Sequence, residues 1–286
     1  MKRREFIRLI GAAAAWPLAA RAQTPPLFAT TKVEGCENVY IFRYVRHQSM
    51  FVVTPEGVIA TDPIGLRRPA AKAYIEEIQN ITKAPIKYVI YSHSHFDHIA
   101  GGQPFKDLGA IFVAHKNAKA RIEALKRSDV VVPDEVVDTE RTMTLGDTTL
   151  ELIYLGKNHS DSTLVKIIFT VDWIALETVP FRAMADTYLP DIEDGLQKVI
   201  AMDWERLIPG HPGPDGRQIG TKADARAALA YLQDLSAAVN KAADEHKCLA
   251  DAMRDIKLPK YEKWANYDAY LPMNIERYCD FYGLGI

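Results

Sequence analysis

Cysteine is scarce in this chain. Cys36, Cys248 and Cys279 are the only three among 286 residues, they lie far apart, and none forms a CxxC pair. This excludes a disulfide framework, and although one disulfide is allowed, the spacing does not demand it. An excess of basic charge is also missing, with 35 Lys and Arg against 37 Asp and Glu and a formal net charge of -2. Without a basic face, a nucleic-acid partner is not expected. Internal repeats and low-complexity tracts are absent. The most apolar run, Leu9 to Ala20, is too short to span a bilayer comfortably. Histidine is scarce as well, with eight residues in all, yet His93, His95 and His98 fall in one stretch, YSHSHFDHIAGG, at Tyr91–Gly102.

What remains is a soluble globular profile, 48% hydrophobic and 25% charged, with length for one large domain or two small ones. The N-terminus has a basic start, an apolar run and the small-residue ending Ala20-Arg21-Ala22, which marks residues 1–22 as an export signal. Arg3-Arg4 followed by Phe6 and Ile7 resembles a twin-arginine signal, with Lys2 where Ser or Thr is usual. The expected location is therefore the periplasm, with no membrane span in the mature chain. Cleavage would remove five basic residues and one acid, leaving the mature chain more acidic.

Residues 23–30 (QTPPLFAT) read as a Pro-containing linker, and 31–286 as a single domain. β-Like runs at 38–45, 49–55 and 57–62 open that domain, rich in aromatic and β-branched residues. A helical spacing follows over 67–82, with Ala71, Tyr74, Ile75 and Ile78 on one face. Further strands are expected at 86–93, 110–115, 148–159 and 205–211, with helices at 116–128 and 222–246. Strands and helices alternate, which indicates an α/β architecture. Four of these strands run toward a histidine, and loops at strand C-terminal ends are where α/β sheets gather functional groups. His93, His95, His98, His159 and His211 could thus share one site. His47, His115 and His246 read as surface or packing residues. The aromatic C-terminal stretch from Tyr261 to Gly285 reads as a tail packed on the domain or on another subunit, rather than a lid.

Neutral imidazole and carboxylate are preferred ligands of zinc and similar divalent ions. His93 and His95 can converge from a loop just past a strand end. Asp97 and His98 follow at once and must point elsewhere, because one ion cannot take four such neighbours in good tetrahedral geometry. The crowding makes sense for two ions side by side.

The order His93-x-His95-x-Asp97-His98 with Gly101-Gly102, then His159 in GKNHS, Asp172 in TVDW and His211 in IPGH resembles the metallo-β-lactamase superfamily. The resemblance runs from about Glu34 to at least Gly213. It implies a four-layer αββα sandwich and two zinc ions per chain. By resemblance, His93, His95 and His159 hold the first ion, Asp97, His98 and His211 hold the second, and Asp172 bridges them. Asp62 matches a position that orients a ligand histidine by hydrogen bonding. Asp97 would in addition orient the attacking group or pass a proton. The implied chemistry is hydrolysis of a small carbonyl-type substrate such as a lactam, lactone, ester or thioester, by water made acidic between two ions.

One departure concerns the bridge. The family usually has two strands joined by a turn before the bridging aspartate, but here only Ser162 to Val171 intervene, which requires a truncated hairpin or a changed register. The large inserted domains of RNA- and DNA-processing members are absent, and flavodiiron members carry Glu where His95 stands. An aspartate at 172 resembles lactonases and glyoxalase-type thioesterases more than true β-lactamases. Two other classes remain: a mononuclear iron oxygenase of sulfur compounds, and a non-catalytic periplasmic accessory protein of a quinoprotein redox system.

Overall fold

The computed structural model describes residues 26–65, 69–160, 164–165 and 169–285. The export-signal segment, residues 1–22, lies outside them. The chain opens with an antiparallel meander of β1 (Phe28–Lys32), β2 (Val39–Tyr44), β3 (His47–Thr54) and β4 (Gly57–Thr61). Residues 28–30, expected as part of a linker, instead begin β1 and pair with β2 in the register Phe28↔Tyr44. Phe, Ala and two Thr suit a pleated edge better than a free tether.

The sheet then turns parallel through α1 (Ala70–Ile81), β5 (Ile86–Ile90), α2 (Phe96–Ile99), α3 (Gln103–Asp107), β6 (Ile111–His115), α4 (Lys116–Leu125) and β7 (Glu135–Val137). The seven strands lie in sequence order. A second layer contains the hairpin β8 (Glu140–Leu145) and β9 (Thr148–Tyr154), with β10 (Leu164–Val165) paired to β9. Beside it, β11 (Phe169–Thr170) runs parallel to β12 (Ile208–Pro209). The remaining helices are α5 (Asp191–Ala201), α6 (Lys222–Asp244), α7 (Ala250–Asp255) and α8 (Tyr267–Leu284).

Alternation along the strands builds the layers, because successive side chains point to opposite faces. Phe42, Phe51, Val58, Ala60, Val89, Phe112 and Ala114 face α1, α3 and α4 in one core. The intervening residues Ile59, Ile90 and Val113 meet Met143, Leu150 and Leu152 of the second layer. Val39, Ile41, Met50 and Val52 meet Phe169, Val171 and Ile208 in the same inter-sheet space. Beyond the second layer, Trp173, Ile174 and Leu176 pack against α5, α6 and α8. The result is the four-layer αββα sandwich. Tyr74 ties the first helix layer to its sheet: its ring stacks on Phe42 with centroids 4.4 Å apart, and its hydroxyl donates to the Met50 carbonyl.

The aromatic C-terminal stretch packs on the domain. Tyr261 and Trp264 surround Tyr231 of α6, and a Cys248–Cys279 disulfide joins the segment after α6 to α8. α8 also supports the segment bordering the site. Asn274 donates to the Pro180 carbonyl and Arg277 to the Thr187 carbonyl.

Candidate metal centre

β4, β5 and β6 run parallel, so their C-terminal ends reach the same edge of the first sheet. Asp62 follows β4, and the His93–His98 loop follows β5. Gly101 takes φ +78° where the chain leaves this loop, a conformation glycine adopts without strain. The loop is fastened by Ile64 N–H to the His98 carbonyl and Gly101 N–H to the Asp129 carbonyl. β9 delivers the loop carrying His159, and β12 delivers His211.

Of the ten residues before Asp172, the structure describes 164–165 and 169–171. Residues 161–163 and 166–168 lie outside the described residues; of the remainder, Leu164–Val165 (β10) pairs with β9 and Phe169–Thr170 (β11) with β12. The parallel register Thr170↔Pro209 then places Asp172 opposite His211. Gly210 makes this approach feasible, since a Cβ there would lie 2.6 Å from Asp172 Oδ1.

In the first cluster, His95 Nδ1 and His159 Nε2 face each other at 3.0 Å, with Asp172 Oδ2 3.8 Å from His93 Nε2 and 3.7 Å from His159 Nε2. In the second, Asp172 Oδ2 lies 3.1 Å from His98 Nε2, while its Oδ1 lies 2.9 Å from His211 Nε2. Asp97 Oδ2 is 3.7 Å from His98 Nε2. The donor atoms of His93, His95, His159 and Asp172 all fall within 4.8 Å of one another, and so do those of His47, Asp97, His98 and His211. All seven residues expected as ligands are therefore brought together, with Asp172 between the two groups.

Asp62 is fully buried behind this array. It accepts from the Ser92 backbone N–H at 2.8 Å and from the Ser92 hydroxyl, and that hydroxyl lies 2.9 Å from His93 Nδ1. A serine has one proton to give. With it committed to the carboxylate, the hydroxyl accepts from His93 Nδ1–H, leaving the Nε2 lone pair aimed into the site. Asp62 thus reaches His93 through Ser92, and it also lies 3.7 Å from His98 Nδ1. The same logic fixes His211, whose Nδ1 donates to the Arg46 carbonyl at 2.5 Å and leaves Nε2 inward.

The electrostatics match a cation in the centre. Burial, then repulsion from His95 and His98, holds the His93 pKa well below the usual imidazole range. His95 is lowered by burial and by His159. Burial also opposes charge on His98, but Asp172, Asp97 and Asp62 outweigh it and push its pKa up to about 9. Burial would raise Asp97 and Asp172. Histidine contacts reverse this and hold both below the usual carboxylate range. Asp62 is pushed up to about 6, chiefly by burial. His93 Nε2, both nitrogens of His98 and Asp172 Oδ1 are buried without an aligned hydrogen-bond partner. Each such atom costs about 1–3 kcal/mol. Imidazole lone pairs converging around carboxylates form a donor set that fits divalent metal ions.

Two residues beyond the sequence-derived set border this array. His47, expected to be a surface or packing residue, is 6% exposed, with Nε2 3.0 Å from Asp97 Oδ2. Because β3 is antiparallel to β4, its first residue lies at the same edge as Asp62, and this was the available signal. Asp186 lies past the first cluster, its Oδ2 3.6 Å from His159 Nε2 and 3.8 Å from His95 Nδ1. No sequence spacing points to it. His115 is buried but turned away, bonded to the Asp138 carbonyl and stacked on Tyr154.

Comparison with known proteins agrees with this architecture. The Metallo-beta-lactamase superfamily matches residues 44–166. A metallo-beta-lactamase from Pontibacter korlensis superposes with a TM-score of 0.61 at 20% identity, covering 72% of this chain and 99% of its own. The sec-alkylsulfatase Pisa1 from Pseudomonas sp. reaches 0.67 at 15% identity, covering 90% of this chain and 50% of the sulfatase. The alpha subunit of 2,4-dinitroanisole O-demethylase from Nocardioides sp. is 24% identical over 163 residues, or 54% of this chain and 49% of that subunit. The chain therefore spans about half the length of this curated relative. At these identities the structural likeness establishes the metallo-β-lactamase fold, and the family match covers residues 44–166, less than half of the chain.

Proposed function

We propose that this chain is a member of the metallo-β-lactamase superfamily that works as an exported, dinuclear metal-dependent hydrolase of small carbonyl-type substrates. The observation that carries the reading is the position of Asp172, with one oxygen toward His98, His93 and His159 and the other toward His211. His93, His95 and His159 would hold one ion, and Asp97, His98 and His211 the other, with Asp172 shared. Two divalent ions, zinc in the first instance, supply an acidified water and polarise a substrate oxygen.

The chain's own groups do the remaining work. Asp62 and Ser92 hold His93 in one tautomer, and the Arg46 carbonyl does the same for His211. Asp97, with its side chain 32% exposed, lies between the buried array and solvent and is placed to take and release a proton at its carboxylate. Export is supported by the N-terminal pattern and by the Cys248–Cys279 pair, since disulfides persist in oxidising compartments. Among the described residues no helix is long and apolar enough to cross a membrane.

A second reading is a mononuclear iron oxygenase of sulfur compounds, with which the O-demethylase name of one relative is compatible. Metal analysis separates the two, with about two zinc ions per chain for the hydrolase and about one iron for the oxygenase. The activity test is to screen metal-replete mature protein against lactams, lactones, thioesters, phosphodiesters and sulfate esters. Turnover of a carbonyl-type substrate supports the hydrolase. Two bound zinc ions without cleavage of any of these overturns it.

A further inference from the structure

We infer that His47 is a further protein ligand of the second ion, joining Asp97, His98, His211 and the shared Asp172. The inference rests on the dinuclear reading above and goes beyond the ligand set that the sequence pattern implies. Its starting point is geometric. His47 Nε2 lies 3.0 Å from Asp97 Oδ2, and its donor atom groups with those of Asp97, His98 and His211 within 4.8 Å. Two donors about 2.1 Å from one ion and roughly 90–120° apart are about 3.0–3.6 Å from each other, so the 3.0 Å separation of His47 and Asp97 suits neighbouring ligands. The His47 ring also stands edge-on to His211, with centroids 4.5 Å apart, and tilted against His98 at 5.2 Å. Three imidazoles thus surround one point beside a carboxylate.

The backbone is arranged to deliver this side chain. Tyr44 pairs with His47 across a two-residue turn, Val45-Arg46. Val45 adopts φ 55°, a region that β-branched residues avoid at a cost of roughly 1–3 kcal/mol. That turn directs the Arg46 carbonyl onto His211 Nδ1 and places His47 against Asp97. One strained hairpin therefore contacts two sides of the second cluster. The second ion would have three histidines and two carboxylates around it, the first three histidines and the shared carboxylate.

The test uses the purified full-length chain and two variants, His47→Ala and His47→Gln. Each is titrated with Zn2+ by calorimetry and, separately, loaded with Co2+ for its visible spectrum, with circular dichroism as a folding control. Glutamine can still donate to Asp97 but offers no imidazole nitrogen. The expected result is that both variants lose affinity for one of the two ions by more than about 100-fold, beyond what partners behind ligands usually contribute. The other ion should be retained, and the Co2+ bands should shift relative to the parent protein. If glutamine restores parental affinity and spectrum, His47 only hydrogen-bonds to Asp97 and the inference is overturned. Two ions bound with unchanged affinity in both variants overturns it equally. A parent chain that binds fewer than two ions defeats the dinuclear reading itself, a result distinguishable from the others before any variant is made.

Discussion

The two donor clusters are built in different ways. The first takes two of its three histidines from one short loop, with His159 arriving from the end of β9 in the other sheet. The second takes Asp97 and His98 from α2, His211 from the loop after β12, and its fourth neighbour, His47, from the start of β3. The first draws on the 93–95 loop, His159 and Asp172, and it is bordered by Asp186. The second depends on pairing between distant strands, and its imidazoles are held by backbone geometry such as the Arg46 carbonyl on His211. With Asp172 counted in both, the second cluster draws on one more chain segment than the first and should respond more to changes in the scaffold.

Asp172 joins the two, so its loss should have the largest effect. Asp172→Asn should weaken both ions by more than about 100-fold, beyond what partners behind ligands usually contribute. The check is metal content after dialysis, expected to fall from about two ions to below one. Next come the single-cluster variants. His159→Ala should strip the first ion and spare the second, and His211→Ala should do the reverse. Competitive titration with a chromophoric chelator measures this, and equal loss of both ions in either variant would break the distinction between the clusters.

A smaller effect is expected behind the ligands. Asp62→Asn should weaken metal binding about 10- to 100-fold. Ser92→Ala should cost less and act mainly on the first ion, because Ser92 sets the His93 tautomer while Asp62 also lies beside His98. The smallest effect belongs far from both clusters. Thr221 and Asp224 form a capping box at the start of α6, and Arg217 pairs with Asp224 at 2.8 Å. Burial alone would raise the Asp224 pKa, but hydrogen bonds from Arg217 and Thr221 lower it below 3.8. The stabilisation is therefore present above the unfolded-state value and fades as pH falls through it toward the folded one. Asp224→Asn should cost about 0.5–2 kcal/mol at pH 7. The gap from the parent protein should narrow below about pH 4. Thermal unfolding at the two pH values measures this, while the affinity of both ions at pH 7 should not move.

Much of this was legible in the chain. Alternating strands and helices indicated the α/β layers, and β4, β5 and β6 begin and end within a few residues of their sequence-derived bounds. The histidine loop and the later histidines pointed to a metal centre because each follows a strand. His47 escaped because the strand was read from its apolar part, Ser49 onward, whereas β3 begins two residues earlier on the polar pair His47-Gln48. Gln48 is buried there by donating to the Pro209 and Gln218 carbonyls, a tertiary contact that no local pattern reveals. Asp172 was expected as the bridge, but the pairing that positions it was not legible. Ten residues looked too few for a hairpin, and the parallel pairing of β11 with β12 is set by chain segments nearly forty residues apart. The Cys248–Cys279 pair likewise depends on how α8 packs.

The most direct measurement is the zinc content of the purified, metal-replete chain beside that of Asp172→Asn, by elemental analysis after exhaustive dialysis. Two shared-carboxylate clusters predict about two ions in the parent chain and fewer than one in the variant. One ion or none in the parent, or two retained by the variant, would contradict a centre organised around Asp172.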